Sequence, residues 1–307
     1  MTKTLVTPKV NPDLDGTSCA IAYSNLLRQL GRCAEGWITG SPQSEVRYFI
    51  EKHNIKIPTR SDEASDDWDD FVLVDASSMK GMPKAVISER VVESIDHRAG
   101  EAQKEFPNAT IQNELIGAAA TMIVEKFIDA EKRMPLDCAK LLYGGIYHNT
   151  LNFIATNAVQ RDRDAAKYLE TNFGLGEEII KEMFDYSTRE VESDVKTALE
   201  NDAKEFGEGW KIGAYQLIVW GDKVFAQKSS VAEYINELQL KTGTEWSFVN
   251  IVDLESKKSH IFVVGDVGEK ILSKAIHTSF KNGWTVLPGA LLRKQIMPKV
   301  DLVIKST

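Results

Sequence analysis

Three stretches of this chain read as strands, and each runs into side chains suited to binding a cation. Phe71-Val72-Leu73-Val74 is a continuous apolar, largely β-branched run of the kind a buried parallel strand shows, and it ends in Asp75. Val91-Val92-Glu93-Ser94-Ile95 is a weaker strand signal, ending in Asp96-His97-Arg98. Thr4-Leu5-Val6 opens a third strand, followed by Asn11-Pro12-Asp13-Leu14-Asp15-Gly16. A lone carboxylate after a strand is commonly a turn residue or a helix cap. Three such ends in one chain, one carrying a histidine, are hard to explain by capping alone. Open α/β folds place their ligands at the carboxyl edge of the sheet. Asp13 and Asp15, two apart at a strand-to-helix junction, supply hard oxygen donors suited to Mg²⁺ or Mn²⁺.

The rest of the pattern alternates. A strand over residues 4–10 leads into an amphipathic helix over 16–30 that Gly31 stops, and a second helix covers 44–52. Residues 59–70 form a polar, acidic loop. Gly117-Ala118-Ala119-Ala120-Thr121 opens a helix to about residue 130. Its small residues allow close packing on the sheet, or let backbone N–H groups meet a phosphate. A long helical region spans 136–186, and a charged connecting helix spans 185–205. Strands over 211–220, 246–253 and 259–264, with helices near 230–241 and 268–280, make a second α+β domain. The expected division is 1–186 and 187–307.

A chain of 307 residues holds two domains of ordinary size. A net charge of −8 argues against general nucleic-acid or anionic-membrane binding, while leaving room for a local basic pocket. Three cysteines without Cys-x-x-Cys spacing read as reduced thiols, and no signal segment or membrane span is evident, so a cytoplasmic setting is expected. His53, His260 and His277 have no partner at ligand spacing. Self-association into a homo-oligomer is left open.

These motifs together resemble the DHH phosphoesterase family, and within it the manganese-dependent (family II) inorganic pyrophosphatases and their exopolyphosphatase relatives. Lys9-Val10-Asn11-Pro12-Asp13-Leu14-Asp15 is similar to the family's His-x-Asn-Pro-Asp-x-Asp, Asp75 to its strand-terminal Asp, Asp96-His97-Arg98 to its Asp-His-His, and Asn149 to its helical Asp. In the second half, Asn201-Asp202-Ala203-Lys204-Glu205-Phe206 resembles Asp-Ala-Lys-Glu-Phe, and Arg293-Lys294-Gln295-Ile296-Met297-Pro298 resembles Arg-Lys-Lys-Gln-Val-Val-Pro. The resemblance implies an N-terminal, mostly parallel α/β domain, a smaller α+β domain, and a cleft between them that closes over substrate. It assigns Asp13, Asp15, Asp75, His97 and Asn149 to metal, and Arg98, Lys204, Arg293 and Lys294 to substrate, to which the charge of Lys9 adds a fifth. Asp13, Asp15, Asp75, His97 and Arg98 form its catalytic set.

Three of those positions depart from the family. Lys9 stands where a histidine ligand is expected, Asn149 where an aspartate is, and Arg98 where a histidine meets the reacting phosphate. A protonated lysine cannot ligate a cation, and asparagine is a neutral, weaker donor. All three changes add positive charge, roughly three units in all, comparable to one missing divalent ion. The reading is therefore a hydrolase of a phosphoanhydride or phosphoester (pyrophosphate, polyphosphate or a small phosphorylated metabolite) with no more than one tightly held Mn²⁺ or Mg²⁺. In it Lys9 and Arg98 carry the charge of the absent ion. The other reading is a non-hydrolytic, regulatory relative that binds a phosphate-containing ligand or a protein partner through the inherited cleft. His148 lies beside Asn149, but neighbours on a helix point about 100° apart, which favours a packed or solvent-facing role.

Overall fold

In the computed structural model, residues 2–62, 68–98, 100, 102–206 and 211–306 are described. Part of the acidic 59–70 loop lies outside these residues. Contacts divide the chain into two compact units, 1–183 and 184–307.

The first unit is a parallel sheet flanked by helices. Its elements are β1 (Lys3–Thr7), α1 (Leu14–Gln29), β2 (Cys33–Gly36), β3 (Ile38–Thr39), α2 (Ser44–His53), β4 (Thr59–Arg60), β5 (Asp70–Val74), β6 (Val91–Asp96), α3 (Ala102–Glu105), β7 (Thr110–Asn113), α4 (Ala119–Asp129), α5 (Leu136–Asn149) and α6 (Gln160–Phe173). The five-stranded sheet has the order β2-β1-β5-β6-β7, and every pairing is parallel. Leu5, Val72, Leu73 and Ile95 are fully buried, which is why the central strands read as apolar runs. Parallel pairing brings the ends of β1, β5 and β6 to one edge, so Asp13, Asp15, Asp75, Asp96 and His97 are gathered by topology alone.

α5 packs on α1 because Gly144 and Gly145 remove side chains from the contact. A Cβ at Gly144 would lie 2.6 Å from the Phe49 ring, and one at Gly145 2.7 Å from Ser18 Oγ. The expected long helix over 136–186 is instead α5, α6 and the start of α7 (Glu177–Ser193). After α5, Leu151, Asn152 and Phe153 all adopt left-handed backbone, a conformation no right-handed helix can continue through. The first strand ends at Thr7 rather than at residue 10.

α7 carries the chain into the second unit: α8 (Val195–Asp202), β8 (Lys204–Phe206), β9 (Ile212–Val219), α9 (Lys223–Ala226), α10 (Lys228–Thr242), β10 (Trp246–Asp253), β11 (Lys258–Val264), α11 (Asp266–Ala275), β12 (Trp284–Leu287) and α12 (Arg293–Lys305). The charged stretch expected as one connecting helix is thus the end of α7, α8 and β8. The mixed sheet has the order β12-β11-β10-β9-β8, with β9 and β10 parallel and the other neighbours antiparallel. Trp246 and Phe248 face α11 and α12 on one side, while Tyr215, Val249 and Ile251 face α8 and α10 on the other. Among the described residues no helix is long and apolar enough to cross a membrane.

Candidate metal centre

Asp13 is the N-cap of α1, its Oδ1 accepting from Gly16 N at 3.1 Å, the ordinary work of an aspartate at a helix start. Asp15, in the first turn, is fully buried. Ala119 N donates to its Oδ2 at 2.8 Å, Ala120 N to its Oδ1 at 2.8 Å, and Asn149 Nδ2 to its Oδ2 at 2.9 Å. α4 has no side-chain cap of its own, so Asp15 reaches across from α1 to satisfy it. The small-residue start of α4 therefore packs close and meets a carboxylate of the protein itself.

Asp75 follows β5 with φ +51°, a left-handed conformation rare for a residue bearing a Cβ. Arg98 Nη2 donates to Asp75 Oδ1 at 2.7 Å and to its carbonyl at 2.6 Å. The same guanidinium donates from Nε to Asp96 Oδ1 at 2.9 Å, while Asp96 Oδ2 is buried without a partner among the described residues. His97 Nδ1 lies 3.2 Å from the Ile116 carbonyl. A carbonyl only accepts, so Nδ1 carries a proton and Nε2 turns inward, 3.4 Å from Asp75 Oδ1.

Asn149, the last residue of α5, closes the ring. Its Nδ2 lies 2.9 Å from Asp15 Oδ2, 2.9 Å from Gly117 O and 3.2 Å from His97 Nε2. Neither a carboxylate nor a carbonyl can donate, so the nitrogen of the amide must face the cluster. Asn149 thus offers the cluster a donor, where its assignment to metal requires an oxygen.

Asp15, Asp75 and His97 each present a ligand atom, and these atoms lie within 4.8 Å of one another. Burial pushes the Asp15 carboxyl well above its ordinary value, and the charges of Asp75 and Asp13 push it further against the opposing pull of His97. Asp75 is raised too, by burial first and then by Asp13, with His97 and Arg98 opposing. For His97 burial lowers the value, but the hydrogen bond to Asp75 and the charges of Asp15 and Asp75 outweigh it and push it up to about 9. The cluster is short of positive charge, and its oxygen and imidazole donors fit a divalent ion such as Mn²⁺ or Mg²⁺.

Asp162 holds this arrangement from behind. Its carboxylate accepts from Gly117 N (2.9 Å), Thr121 Oγ1 (2.6 Å) and Val159 N (2.8 Å), tying the loop before α4 to the start of α6. A Cβ at position 117 would come within 2.5 Å of that carboxylate, so glycine is needed there. Sequence reasoning gave no role to Asp162 and named Asp96 only as part of the Asp96-His97-Arg98 strand end. The only available signal for Asp162 was its place three residues after Val159 at a helix start.

The basic residues divide. Lys9 is half-buried beside Gly81, with no ion pair of its ammonium among the described residues. Lys204 and Lys294 are exposed. Arg293, expected to face phosphate, is instead buried within the second unit. Its two terminal nitrogens donate to both carboxylate oxygens of Asp202, and Nη1 also donates to the carbonyls of Asp202 (3.1 Å) and Ala214 (2.9 Å). His148 pairs with buried Glu45 at 3.3 Å, away from the ligand atoms.

Comparison with known proteins agrees with this geometry. The chain is 28% identical over 315 residues to a Shouchella clausii protein named probable manganese-dependent inorganic pyrophosphatase, covering 100% of this chain and 99% of the other. An Exiguobacterium protein of the same name is 27% identical, with 97% of each chain covered. The fold matches the crystal structure of a Methanococcus jannaschii protein described as a family II inorganic pyrophosphatase, with a TM-score of 0.67, 21% identity, and 98% and 99% of the two chains covered. The profile of the DHH family, N-terminal domain, matches residues 3–146. The segment holding Asp13, Asp15, Asp75 and His97 is therefore a DHH family N-terminal domain.

Proposed function

We propose that this chain is a divalent-metal-dependent hydrolase of a pyrophosphate-type phosphoanhydride that works with a single tightly held ion. The convergence of Asp15, Asp75 and His97 within 4.8 Å at the carboxyl edge of a parallel sheet carries this reading. The names of the relatives, similar over nearly their whole length, support the same substrate class.

Asp15, Asp75 and His97 would hold the ion, which when bound supplies Lewis-acid polarisation of the phosphoryl group and acidification of water. Arg98 spends Nε and Nη2 on Asp96 and Asp75, and its half-exposed head leaves Nη1 for a phosphoryl oxygen. Asp13 lies close enough to raise the carboxyl groups of Asp15 and Asp75, and it orients the attacking water and takes its proton. Asn149 Nδ2 donates to Asp15 and to the Gly117 carbonyl from inside the protein, so a neutral donor stands where a second cation would otherwise neutralise charge. Lys9, half-buried in the first unit, supplies further positive charge for the substrate.

Phosphate release from pyrophosphate and tripolyphosphate, measured with Mn²⁺, Mg²⁺ and chelator, tests the proposal. Metal-dependent release that Asp75→Asn abolishes is the expected result. No release from any phosphoanhydride with either ion would make the cluster a binding site only.

A further inference from the structure

The first unit has a cavity of about 650 Å³ away from the carboxylate cluster. α4, α5 and α6 each have one end at the cluster, through Ala119 and Ala120, Asn149, and Asp162. The opposite ends of α5 and α6 frame this cavity, along with the loop that joins α4 to α5. α5 alone, with 14 residues, separates the two places by about 20 Å.

Lys132 and Arg133 line one wall, and no acidic residue lines the cavity, in a chain whose net charge is −8. Both are exposed, and neither side chain makes an ion pair among the described residues. The Arg133 backbone is fixed from α1, since Gln29 Nε2 donates to its carbonyl at 2.8 Å. The other wall is aromatic: Tyr168 and Phe173 meet edge to face with centroids 6.5 Å apart. Leu136 lies in the floor, 49% exposed although apolar. Asn172 donates from Nδ2 to the Tyr168 carbonyl at 2.8 Å, which fixes the amide and leaves Oδ1 as an acceptor.

Two unpaired cations, two aromatic faces, an exposed leucine and a fixed amide acceptor suit a ligand with a flat apolar ring, an amino group and a phosphate tail. The volume lies within the range of small-molecule sites. We infer that this cavity is a second ligand site and that it takes a nucleoside mono- or diphosphate. The ring lies against Tyr168 or Phe173, an exocyclic amine donates to Asn172 Oδ1, and the phosphates meet Lys132 and Arg133.

ADP is the probe, titrated calorimetrically in chelator into the full chain and into Asp75→Asn, in which the metal cluster is disabled. ADP binds both proteins equally, and Lys132→Glu combined with Arg133→Glu weakens it at least tenfold. Phe173→Ala weakens ADP with little effect on pyrophosphate, which lacks the ring. Both charge reversals are at exposed positions, and circular dichroism confirms that the fold is kept. No ADP binding at millimolar concentration, binding indifferent to the double reversal, or binding lost in Asp75→Asn would overturn the site. Pyrophosphate bound at the cavity as tightly as ADP would overturn its assignment to nucleosides.

Discussion

Asn149→Asp tests the inward-facing amide more sharply than any other change. In the metal-free protein Nδ2 donates to Asp15 Oδ2 and Gly117 O, both at 2.9 Å. A carboxylate oxygen placed there donates to neither and stands beside a buried like charge. The least costly escape is to take up a proton, which at pH 7 means holding an aspartate protonated about three units above its ordinary value, at about 1.36 kcal/mol per unit. That costs about 4 kcal/mol, and the one hydrogen bond a carboxylic acid cannot replace adds about 1 kcal/mol. The variant should thus lose up to about 5 kcal/mol at pH 7 and about half that at pH 5, because a carboxyl raised in the folded state destabilises increasingly as pH climbs above its unfolded value. With Mn²⁺ present the new carboxylate becomes a ligand, and the stabilisation by the ion exceeds that of the parent, by about 1.4 kcal/mol for each tenfold gain in affinity. Urea unfolding at pH 5, 6 and 7, in chelator and in Mn²⁺, reads all of this. A variant as stable as the parent in chelator at every pH would refute the amide's placement.

Other outcomes follow from the same contacts. His97, pushed up to about 9, is protonated at pH 7 without metal, so ion uptake must release its proton. Mn²⁺ affinity should rise by up to tenfold per pH unit toward pH 9, and calorimetry in buffers of different ionisation heat should detect the proton; a pH-independent affinity contradicts this. In chelator the stability His97 contributes is present in full below about pH 6.5 and is lost as pH rises through about 9. Arg293→Ala strands the Asp202 carboxylate and two carbonyls, and denaturant unfolding should show a loss of about 2–4 kcal/mol, with Arg293→Lys recovering part. Asp162→Ala strands the Gly117 and Val159 N–H groups and the Thr121 hydroxyl and should cost about 2–4 kcal/mol by the same assay.

The sheet that gathers the site was legible because β5 and β6 carry their own signals, an apolar run in Phe71–Val74 and an acidic or imidazole end. β2 and β7 were not, since Cys33-Ala34-Glu35-Gly36 and Thr110-Ile111-Gln112-Asn113 are short edge strands with little apolar content. α12 was hidden by Pro298 within it. Among the site residues, those at strand ends could be named from the chain alone. The direction of a side chain could not: whether Asn149 shows oxygen or nitrogen depends on the Gly117 carbonyl, and Arg293 turns inward because Asp202 waits 91 residues away. Asp96 Oδ2 and Asp162 gain meaning only once β6 and α6 are placed beside the cluster.

The count of ions tests the central reading most directly. Equilibrium dialysis against Mn²⁺ followed by elemental analysis should give one tightly bound ion per chain, and none in Asp75→Asn. Two tight ions, or one that persists in Asp75→Asn, would contradict a single ion held by Asp15, Asp75 and His97.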